Sequence, residues 1–399
     1  MSTTSPIIWL WAAIVSLEVL SSHTFAQAAK ESRPQLQIIN GSEQPIDVFW
    51  LADETGERRP AASVEVAGSQ IISTTIGHRF VIVGRNDRAE AQVTARRAIQ
   101  AIRFTGEVPL RPVVAPVGVV MAPPAGLGIP AFYEKFLSAE GLPIVASKEV
   151  DDHALKEAAY LVNMMLAKRP DIRAAMIDSG SRLCIIGHNE FTTDLPEFRN
   201  LQAPRTAAGF TAKDYWDARA RGTGGSRTDP FFSCGEENLL GYPDDPYSTE
   251  NILIHEISHN IHLRGLANID PTFDERLKVT YAKAMEKGLW SGKYASVNHH
   301  EYFAEGVQSW FDDNRENDHD HNHVNTRQEL VEYDSGLAEI CREVFGDTEF
   351  KYVKPQFRLH GHLADYQPQK APKFVWPDRL LKIKAELIRQ ASQRAPSKK

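Results

Sequence analysis

Two histidines and a glutamate near the middle of the chain have the types and spacing of a hydrolytic zinc site. Residues 251–265 read NILIHEISHNIHLRG and contain His255, Glu256 and His259 in the pattern His-Glu-x-x-His. Side chains four residues apart lie on one face of a helix, so both imidazoles can bind the same ion. Glu256 is adjacent and can accept a proton from a metal-bound water. The sequence predicts a short amphipathic helix that ends at Gly265.

A catalytic zinc ion takes three protein ligands and leaves a fourth position for water, so a third ligand is needed. Glu301 follows His259 by 42 residues, and Glu305 follows Glu301 by four in the run HHEYFAEGVQSW. This run is predicted to be helical, and both carboxylates then face the same way. One carboxylate can bind zinc while the other accepts the far N–H of a ligating histidine.

Three other histidines compete for the position of the third ligand. His262 lies on the same helical face as His255, but a straight helix cannot wrap three such side chains around one ion. His299 and His300 precede the predicted second helix and are expected to be exposed or to lie behind the ligands. A structural alternative for the whole motif is a core helix with two incidental histidines.

The two motifs together resemble the glutamate-zincin metallopeptidases, specifically the family of the anthrax lethal factor catalytic domain. That family pairs His-Glu-x-x-His with a later helix of the form Glu-aromatic-Phe-Ala-Glu, here residues 301–305. The resemblance implies a zinc ion bound by His255, His259 and Glu301, with Glu305 as the carboxylate behind the ligands. It also implies that the Tyr294 hydroxyl faces the substrate carbonyl, and that the substrate is a peptide or protein.

The resulting interpretation is an exported zinc metallopeptidase in which Glu256 is the general base. Two alternatives stay open: a zinc hydrolase of a non-peptide amide or ester, and a binding protein with a vestigial zinc site. Glu256 disfavours the second alternative, because a zinc site kept only for structure needs no general base.

Length and composition indicate an ordinary globular protein with room for two domains. The chain has 399 residues, of which 42% are hydrophobic and 24% charged. A formal net charge of −7 argues against a nucleic-acid partner. The predicted class is α+β, with a small N-terminal β-sandwich followed by a mainly helical zincin-type domain that contains a small sheet. The sequence predicts no particular oligomeric state.

The N-terminus has the features of a signal peptide over residues 1–28. An apolar segment, residues 7–20, precedes the small-x-small pattern Ala26-Gln-Ala28. The protein is therefore expected to be secreted or periplasmic. The alternative is an uncleaved N-terminal membrane anchor, although Glu18 interrupts the apolar segment.

Residues 35–105 contain short β-rich runs punctuated by turn residues, which predicts a small sandwich. The run resembles the β domain of the von Hippel-Lindau protein, with Trp50, Ser73 and His78 at the pocket positions and Ala61 where that family has a tyrosine. The resemblance implies peptide binding by the sandwich. A purely structural accessory domain is the alternative.

The rest of the chain is divided into a linker at 106–125, the catalytic domain at 126–392 and a disordered tail at 393–399. Within the catalytic domain, helices are predicted at 149–168, 270–287 and 376–390, and a hairpin at 174–187. Asn238–Gly241 is the candidate for a strand that borders the cleft.

Two further groups of residues have an open interpretation. None of the cysteines Cys184, Cys234 and Cys341 has CxxC spacing, which excludes a cysteine zinc site. Cys184 and Cys234 can form a disulfide, or all three can be buried thiols. The loop at 318–323, DHDHNH, can bind a second ion or be a solvated loop.

Overall fold

The computed structural model describes residues 33–52, 55–106, 118–202 and 209–394. The predicted signal peptide lies outside the described residues, as do residues 107–117 of the predicted linker and the last five residues of the chain. None of the helices within these ranges is long and apolar enough to cross a membrane.

Seven N-terminal strands form two sheets that pack face to face. Their bounds are β1 Gln35–Asn40, β2 Ile46–Leu51, β3 Arg58–Val64, β4 Ser69–Ser73, β5 Arg79–Gly84, β6 Glu90–Thr94 and β7 Ile99–Phe104. One sheet has the order β4-β1-β7 and the other β3-β2-β5-β6. Alternate residues such as Leu36 and Ile38 of β1 meet Val48 of β2 and Phe80 of β5 in a shared core. The predicted β-sandwich is confirmed.

A third, five-stranded sheet has the order β11-β12-β10-β9-β8. Its strands are β8 Lys135–Ala139, β9 Leu142–Ala146, β10 Arg182–Ile186, β11 Gly222–Thr223 and β12 Phe231–Gly235. The central strands β9, β10 and β12 are parallel, and every residue of β10 and β12 is buried. This burial on both faces explains their continuous apolar character. The two edge strands, β8 and β11, are antiparallel to their neighbours.

Helices make up most of the remaining structure. Their bounds are α1 Asp152–Met165, α2 Pro170–Asp178, α3 Ala212–Arg219, α4 Glu236–Leu240, α5 Ile252–Asn260, α6 Ala267–Ile269, α7 Phe273–Glu286, α8 His299–Trp310, α9 Arg327–Tyr333, α10 Ser335–Phe345 and α11 Asp378–Arg394. The α+β class is therefore confirmed, as are the helices predicted at 149–168, 270–287 and 376–390. Helix α11 extends two residues into the predicted tail.

Three local predictions are wrong. Residues 174–187 are not a hairpin, because α2 runs to Asp178 and β10 begins at Arg182. Asn238–Leu240 are part of helix α4 rather than a strand. Helix α5 does not stop at Gly265 but continues through a π-helical segment, Ile261–Leu266, into α6. A Cβ atom at Gly265 would lie 2.7 Å from Ile172 Cγ2, so glycine is needed there for contact with α2.

Of the two alternatives left open for the cysteines, the structure has the buried thiols, since Cys184, Cys234 and Cys341 are all free and buried. The sheet register gives the reason. Cys184 of β10 is opposite Ser233 of β12, whereas Cys234 is opposite Ile185. Successive side chains on a strand point to opposite faces, so the two thiols lie on different sides of the sheet. Cys234 accordingly packs in the core with α1 and α5, and Cys184 packs in the core on the other face.

The sandwich contacts the second half of the molecule through strand β7. The side chain of Asn268 accepts a hydrogen bond from Ile99 N at 2.8 Å and donates one to Ile99 O at 3.0 Å. The N–H of Ala101 donates to Ser179 O at 3.0 Å, and Arg97 forms an ion pair with Asp178 at 2.6 Å. These polar contacts dock β7 against α2 and α6.

Replacing Asn268 by Ala should therefore lower the free energy of unfolding by about 1–3 kcal/mol, because it removes both hydrogen bonds and leaves the backbone groups of Ile99 unpaired. Denaturant unfolding of the full chain measures this loss. Asn200→Ala is the matched control, since within the described ranges Asn200 hydrogen-bonds the sandwich through one exposed 3.5 Å contact to Ala67 O. We expect the control to change stability by less than about 0.5 kcal/mol. Equal losses in both variants would contradict the proposed docking contact.

Candidate metal centre

Helices α5 and α8 bring together three side-chain atoms that could bind a metal ion, beside a cleft that His255 lines. His255 Nε2 lies 3.2 Å from His259 Nε2 and 3.1 Å from Glu301 Oε2. The third side of this triangle, His259 Nε2 to Glu301 Oε2, is 3.3 Å. The side chains are 11%, 11% and 18% exposed, so the triangle is shielded but reachable from solvent.

The triangle has the dimensions that tetrahedral zinc requires. Ligand atoms about 2.0–2.1 Å from zinc in tetrahedral geometry lie roughly 3.3 Å from one another. Two imidazole nitrogens and one carboxylate oxygen are also a ligand set that zinc accepts in catalytic sites. The chemistry and the geometry of His255, His259 and Glu301 therefore fit the ion. The structure brings together the three ligands that the sequence predicted.

Capping side chains explain why both helices begin where they do. The Asn251 side chain accepts a hydrogen bond from Ile254 N at the start of α5. At the start of α8, the Asn298 side chain accepts hydrogen bonds from the N–H groups of His300 and Glu301, at 2.8 and 3.0 Å. Asparagine is a favoured N-cap because it satisfies these otherwise unpaired donors. The cap of α8 thereby fixes the backbone of the carboxylate ligand itself.

Gln308 holds His255 in the tautomer that a metal ligand needs. The Gln308 amide donates to Glu250 Oε2 at 2.9 Å, which leaves its oxygen as the acceptor 2.8 Å from His255 Nδ1. Nδ1 must therefore carry the proton, and the Nε2 lone pair is free to bind metal. The sequence prediction gave this role to Glu305, whose oxygen lies at 3.5 Å from the same nitrogen. Gln308 was missed, although its spacing from Glu301 and Glu305 puts it on their helical face.

Glu305 instead connects helix α8 to the loop at 318–323. His321 Nε2 lies 3.3 Å from Glu305 Oε2, and His321 Nδ1 lies 2.8 Å from Asp318 Oδ1. Burial alone would raise the pKa of Glu305, but His321 and His255 lower it to about 2, so Glu305 is ionised. The loop is solvated only in part, because the His319 side chain is 54% exposed whereas the His321 side chain is 6% exposed and lines the cleft.

The carboxylate of Glu256 lies against strand β11. A Cβ atom at Gly222 would be 3.0 Å from Glu256 Oε1, and one at Gly224 would be 2.5 Å from the His259 side chain. Glycine at these two positions therefore lets β11, and the residue that follows it, approach helix α5 closely. Burial raises the pKa of Glu256, against the opposing effect of His255 and His259. The strand that borders the cleft is thus β11, and not the predicted Asn238–Gly241.

Tyr294 lines the same cleft. Its ring centroid is 6.0 Å from that of His255, and its backbone N–H donates to Asp320 O at 2.8 Å. Burial raises the pKa of its hydroxyl well above the ordinary value, so the group stays protonated and can donate a hydrogen bond. The cleft is lined by Arg219, Gly222, Tyr247, Glu250, His255, Glu256, Tyr294, Glu305, Asp320 and His321.

The three competing histidines form a separate cluster around Asp274. His262 Nε2 and His299 Nε2 lie 2.9 and 3.1 Å from Asp274 Oδ1, and His300 Nδ1 lies 3.3 Å from His262 Nδ1. Lys278 forms an ion pair with the other oxygen of Asp274 at 2.8 Å. His299 and His300 begin helix α8 rather than precede it. These contacts tie α7 to α8.

The predicted pocket residues of the sandwich are only partly brought together. The rings of Trp50 and His78 are 5.3 Å apart between centroids, and the Arg59 guanidinium lies 5.5 Å from the Trp50 ring. His78 Nδ1 contacts Thr74 Oγ1 at 3.1 Å. Ser73 lies on β4, in the other sheet. Peptide binding by the sandwich stays a prediction.

No protein-family model matches this chain. A search of curated proteins finds no significant relative. The geometry of the cleft is therefore the basis for any functional conclusion.

The assignment of the third ligand predicts the outcome of alanine substitution. Glu301→Ala should weaken zinc binding by more than about 100-fold, because it removes one of three ligands rather than a supporting group. His262→Ala and His300→Ala are the controls and should retain zinc. Metal content of the purified variants by mass spectrometry, followed by competition with a chelator, measures both. Zinc retained in Glu301→Ala and lost in His262→Ala would reassign the ligand set.

The hydrogen bond from His255 to Gln308 gives a second test. Gln308→Met keeps the volume but removes the acceptor, so we expect zinc affinity to fall about 10–100-fold. Glu305→Gln should have a smaller effect, since Glu305 lies farther from His255 Nδ1. Chelator competition at neutral pH gives both affinities. A larger loss in Glu305→Gln would return the supporting role to Glu305.

Proposed function

We propose that this protein is an exported, zinc-dependent hydrolase of the glutamate-zincin type, acting on peptides or proteins. The observation that carries the proposal is the triangle of His255, His259 and Glu301, with the Glu256 carboxylate beside it. Structural zinc sites are usually closed by four protein ligands, whereas catalytic sites have three. Export rests on the signal-peptide pattern at residues 1–28.

A zinc ion bound by these three residues would lower the pKa of a coordinated water to about 7 and polarise a substrate carbonyl. Glu256 would accept the proton of the attacking water and later return it to the leaving amine. Its raised pKa makes it a stronger base than an ordinary glutamate carboxylate. The contact with Gly222 limits the positions that its carboxylate can adopt.

The protonated Tyr294 hydroxyl would donate a hydrogen bond to the carbonyl oxygen as negative charge develops on it. Loss of one such donor typically lowers the rate by about 10²–10³. The hydrogen bond from Tyr294 N to Asp320 O fixes the backbone at this residue, which lines the cleft.

The edge strand supports a peptide substrate. Strand β11 pairs with β12 on one side, and no strand in the described part of the chain pairs with its other side. An extended peptide can add to such an edge through main-chain hydrogen bonds. Because Gly222 and Gly224 touch Glu256 and His259, a peptide paired there would run past the triangle of ligands.

The role of Glu256 predicts that Glu256→Gln retains zinc and folds normally but loses about 10²–10⁴-fold in turnover, since only the proton acceptor is removed. Cleavage of a proteome-derived peptide library, with metal content measured on the same samples, tests this. Asp320→Asn is the matched control, because it removes one negative charge from the same cleft. Activity near the wild-type rate in Glu256→Gln would contradict the mechanism, as would cleavage that survives a chelator.

A further inference from the structure

Arg219 is a cation in the cleft for which the described residues supply no ionic partner. It is the last residue of α3 and lines the same cavity as His255, Glu256 and Tyr294. Among the residues that the structure describes, no carboxylate forms an ion pair with its guanidinium within 4.0 Å. The guanidinium carbon lies 5.9 Å from the centroid of the Trp216 ring, and its charge acts at longer range on Glu301 and Tyr294.

The other cations around the cleft are neutralised. Arg221 is fully buried and forms two hydrogen bonds with Glu237, at 2.6 and 2.8 Å. Arg315 pairs with Asp318 at 2.5 Å, and His321 lies between Asp318 and Glu305. Arg219 differs from all of them, although it is only two residues from Arg221. Its charge is therefore available to a molecule that enters the cleft.

The carboxylates near Arg219 already contact other residues. Glu301 contacts both ligating histidines, at 3.1 and 3.3 Å, and Glu256 lies against Gly222. A guanidinium that the described residues leave without an ion pair, beside reactive groups, is a functional candidate rather than a structural ion pair. The backbone of Arg219 is held by the Tyr247 hydroxyl, which donates to Arg219 O at 3.5 Å.

We propose that Arg219 binds a carboxylate of the substrate, so that the enzyme prefers peptides with a negative charge near the scissile bond. This inference rests on the proposed function and names the substrate class. A guanidinium offers a planar pair of N–H donors that matches a carboxylate in a bidentate arrangement. The carboxylate comes either from the C-terminus of a short peptide or from an Asp or Glu side chain.

The position of Arg219 limits how far this charge can lie from the reacting carbonyl. Arg219 precedes Gly222 of β11 by three residues, which spans at most about 10 Å of chain. Gly222 itself touches Glu256. For a peptide extended along β11, the recognised carboxylate would thus lie within about two or three residues of the cleaved bond.

The test uses four blocked tripeptide probes whose charge differs at one place. Acetyl-Ala-Ala-Ala as free acid and as amide tests the C-terminal carboxylate, and acetyl-Ala-Glu-Ala amide against acetyl-Ala-Gln-Ala amide tests the side chain. Calorimetric titration of zinc-loaded Glu256→Gln protein measures binding without turnover. We expect one charged probe to bind about 10–100-fold more tightly than its neutral partner, as expected for a charge-assisted contact. The pair of probes that differs in affinity shows whether Arg219 binds the C-terminal carboxylate or an acidic side chain.

Arg219→Gln in the same background should abolish that difference and leave the neutral probes unchanged. Arg219→Lys should retain part of it, because the charge remains but the bidentate geometry is lost. Arg227→Gln is the matched control, since Arg227 is exposed on the loop after β11 and does not line the cavity. Thermal unfolding of each variant shows whether the fold is intact. If Arg219→Gln does not fold, the inference is tested by whether Arg219→Lys reduces the affinity difference between charged and neutral probes relative to the protein with Arg219.

Turnover measurements separate this inference from the proposed hydrolase activity. On the peptide library, acidic residues or free C-termini should be enriched near the cleavage sites of the wild-type protein but not of Arg219→Gln. An equal loss of kcat/KM for charged and neutral peptides would overturn the inference, because Arg219 would then act on the reacting carbonyl. A wild-type protein without any carboxylate preference would also overturn it. Carboxylate binding that depends on Arg219, without cleavage of any peptide, would overturn only the hydrolase.

Discussion

The packing of helix α5 against helix α8 is the contact on which the rest of the site depends. It holds two imidazole nitrogens and a carboxylate oxygen within 3.1–3.3 Å of one another. Such convergence must be maintained by structure outside the ligands. Asn298 caps α8, and the Tyr302 hydroxyl donates to Asp334 at 2.6 Å on the buried side of the same helix. The position of Glu301 is thus a property of the fold rather than of one side chain.

Behind the three candidate ligands, charged and amide groups form two branches, which face His255 Nδ1 at Gln308 and at Glu305. One runs through Gln308 to Glu250, and the other runs from Glu305 through His321 to Asp318. Removing one member of a buried charge pair leaves the other uncompensated, which is costly. The 318–323 loop is therefore part of the site, and its carbonyl at Asp320 also positions Tyr294. The cleft walls and the ligand orientation are stabilised by the same residues.

The features that could be predicted from the sequence are those with a local period. His255 and His259, like Glu301 and Glu305, are four residues apart on single helices, and their convergence needs only that the helices pack together. Gln308, three residues after Glu305, lies on the same helical face but has no metal-binding signature. In the 318–323 loop, His321 is buried because it contacts Glu305. The thiols of Cys184 and Cys234 are kept apart by the register of β10 and β12. Contacts of this kind depend on tertiary structure and leave no periodic pattern in the sequence.

The sequence does not predict strand β11, because the glycines that let it approach helix α5 are poor strand formers. It has two residues, and glycines stand at 222, 224 and 225. Glycine weakens a strand and carries no side chain to pack, so the segment has the composition of a loop. A Cβ atom at 222 or 224 would collide with Ile252 or His259, and a larger residue would push the strand away from helix α5. In the proposed reaction, this close approach lets a substrate that pairs with the edge of β11 present its carbonyl to Glu256, while Arg219, three residues before the strand, holds its carboxylate.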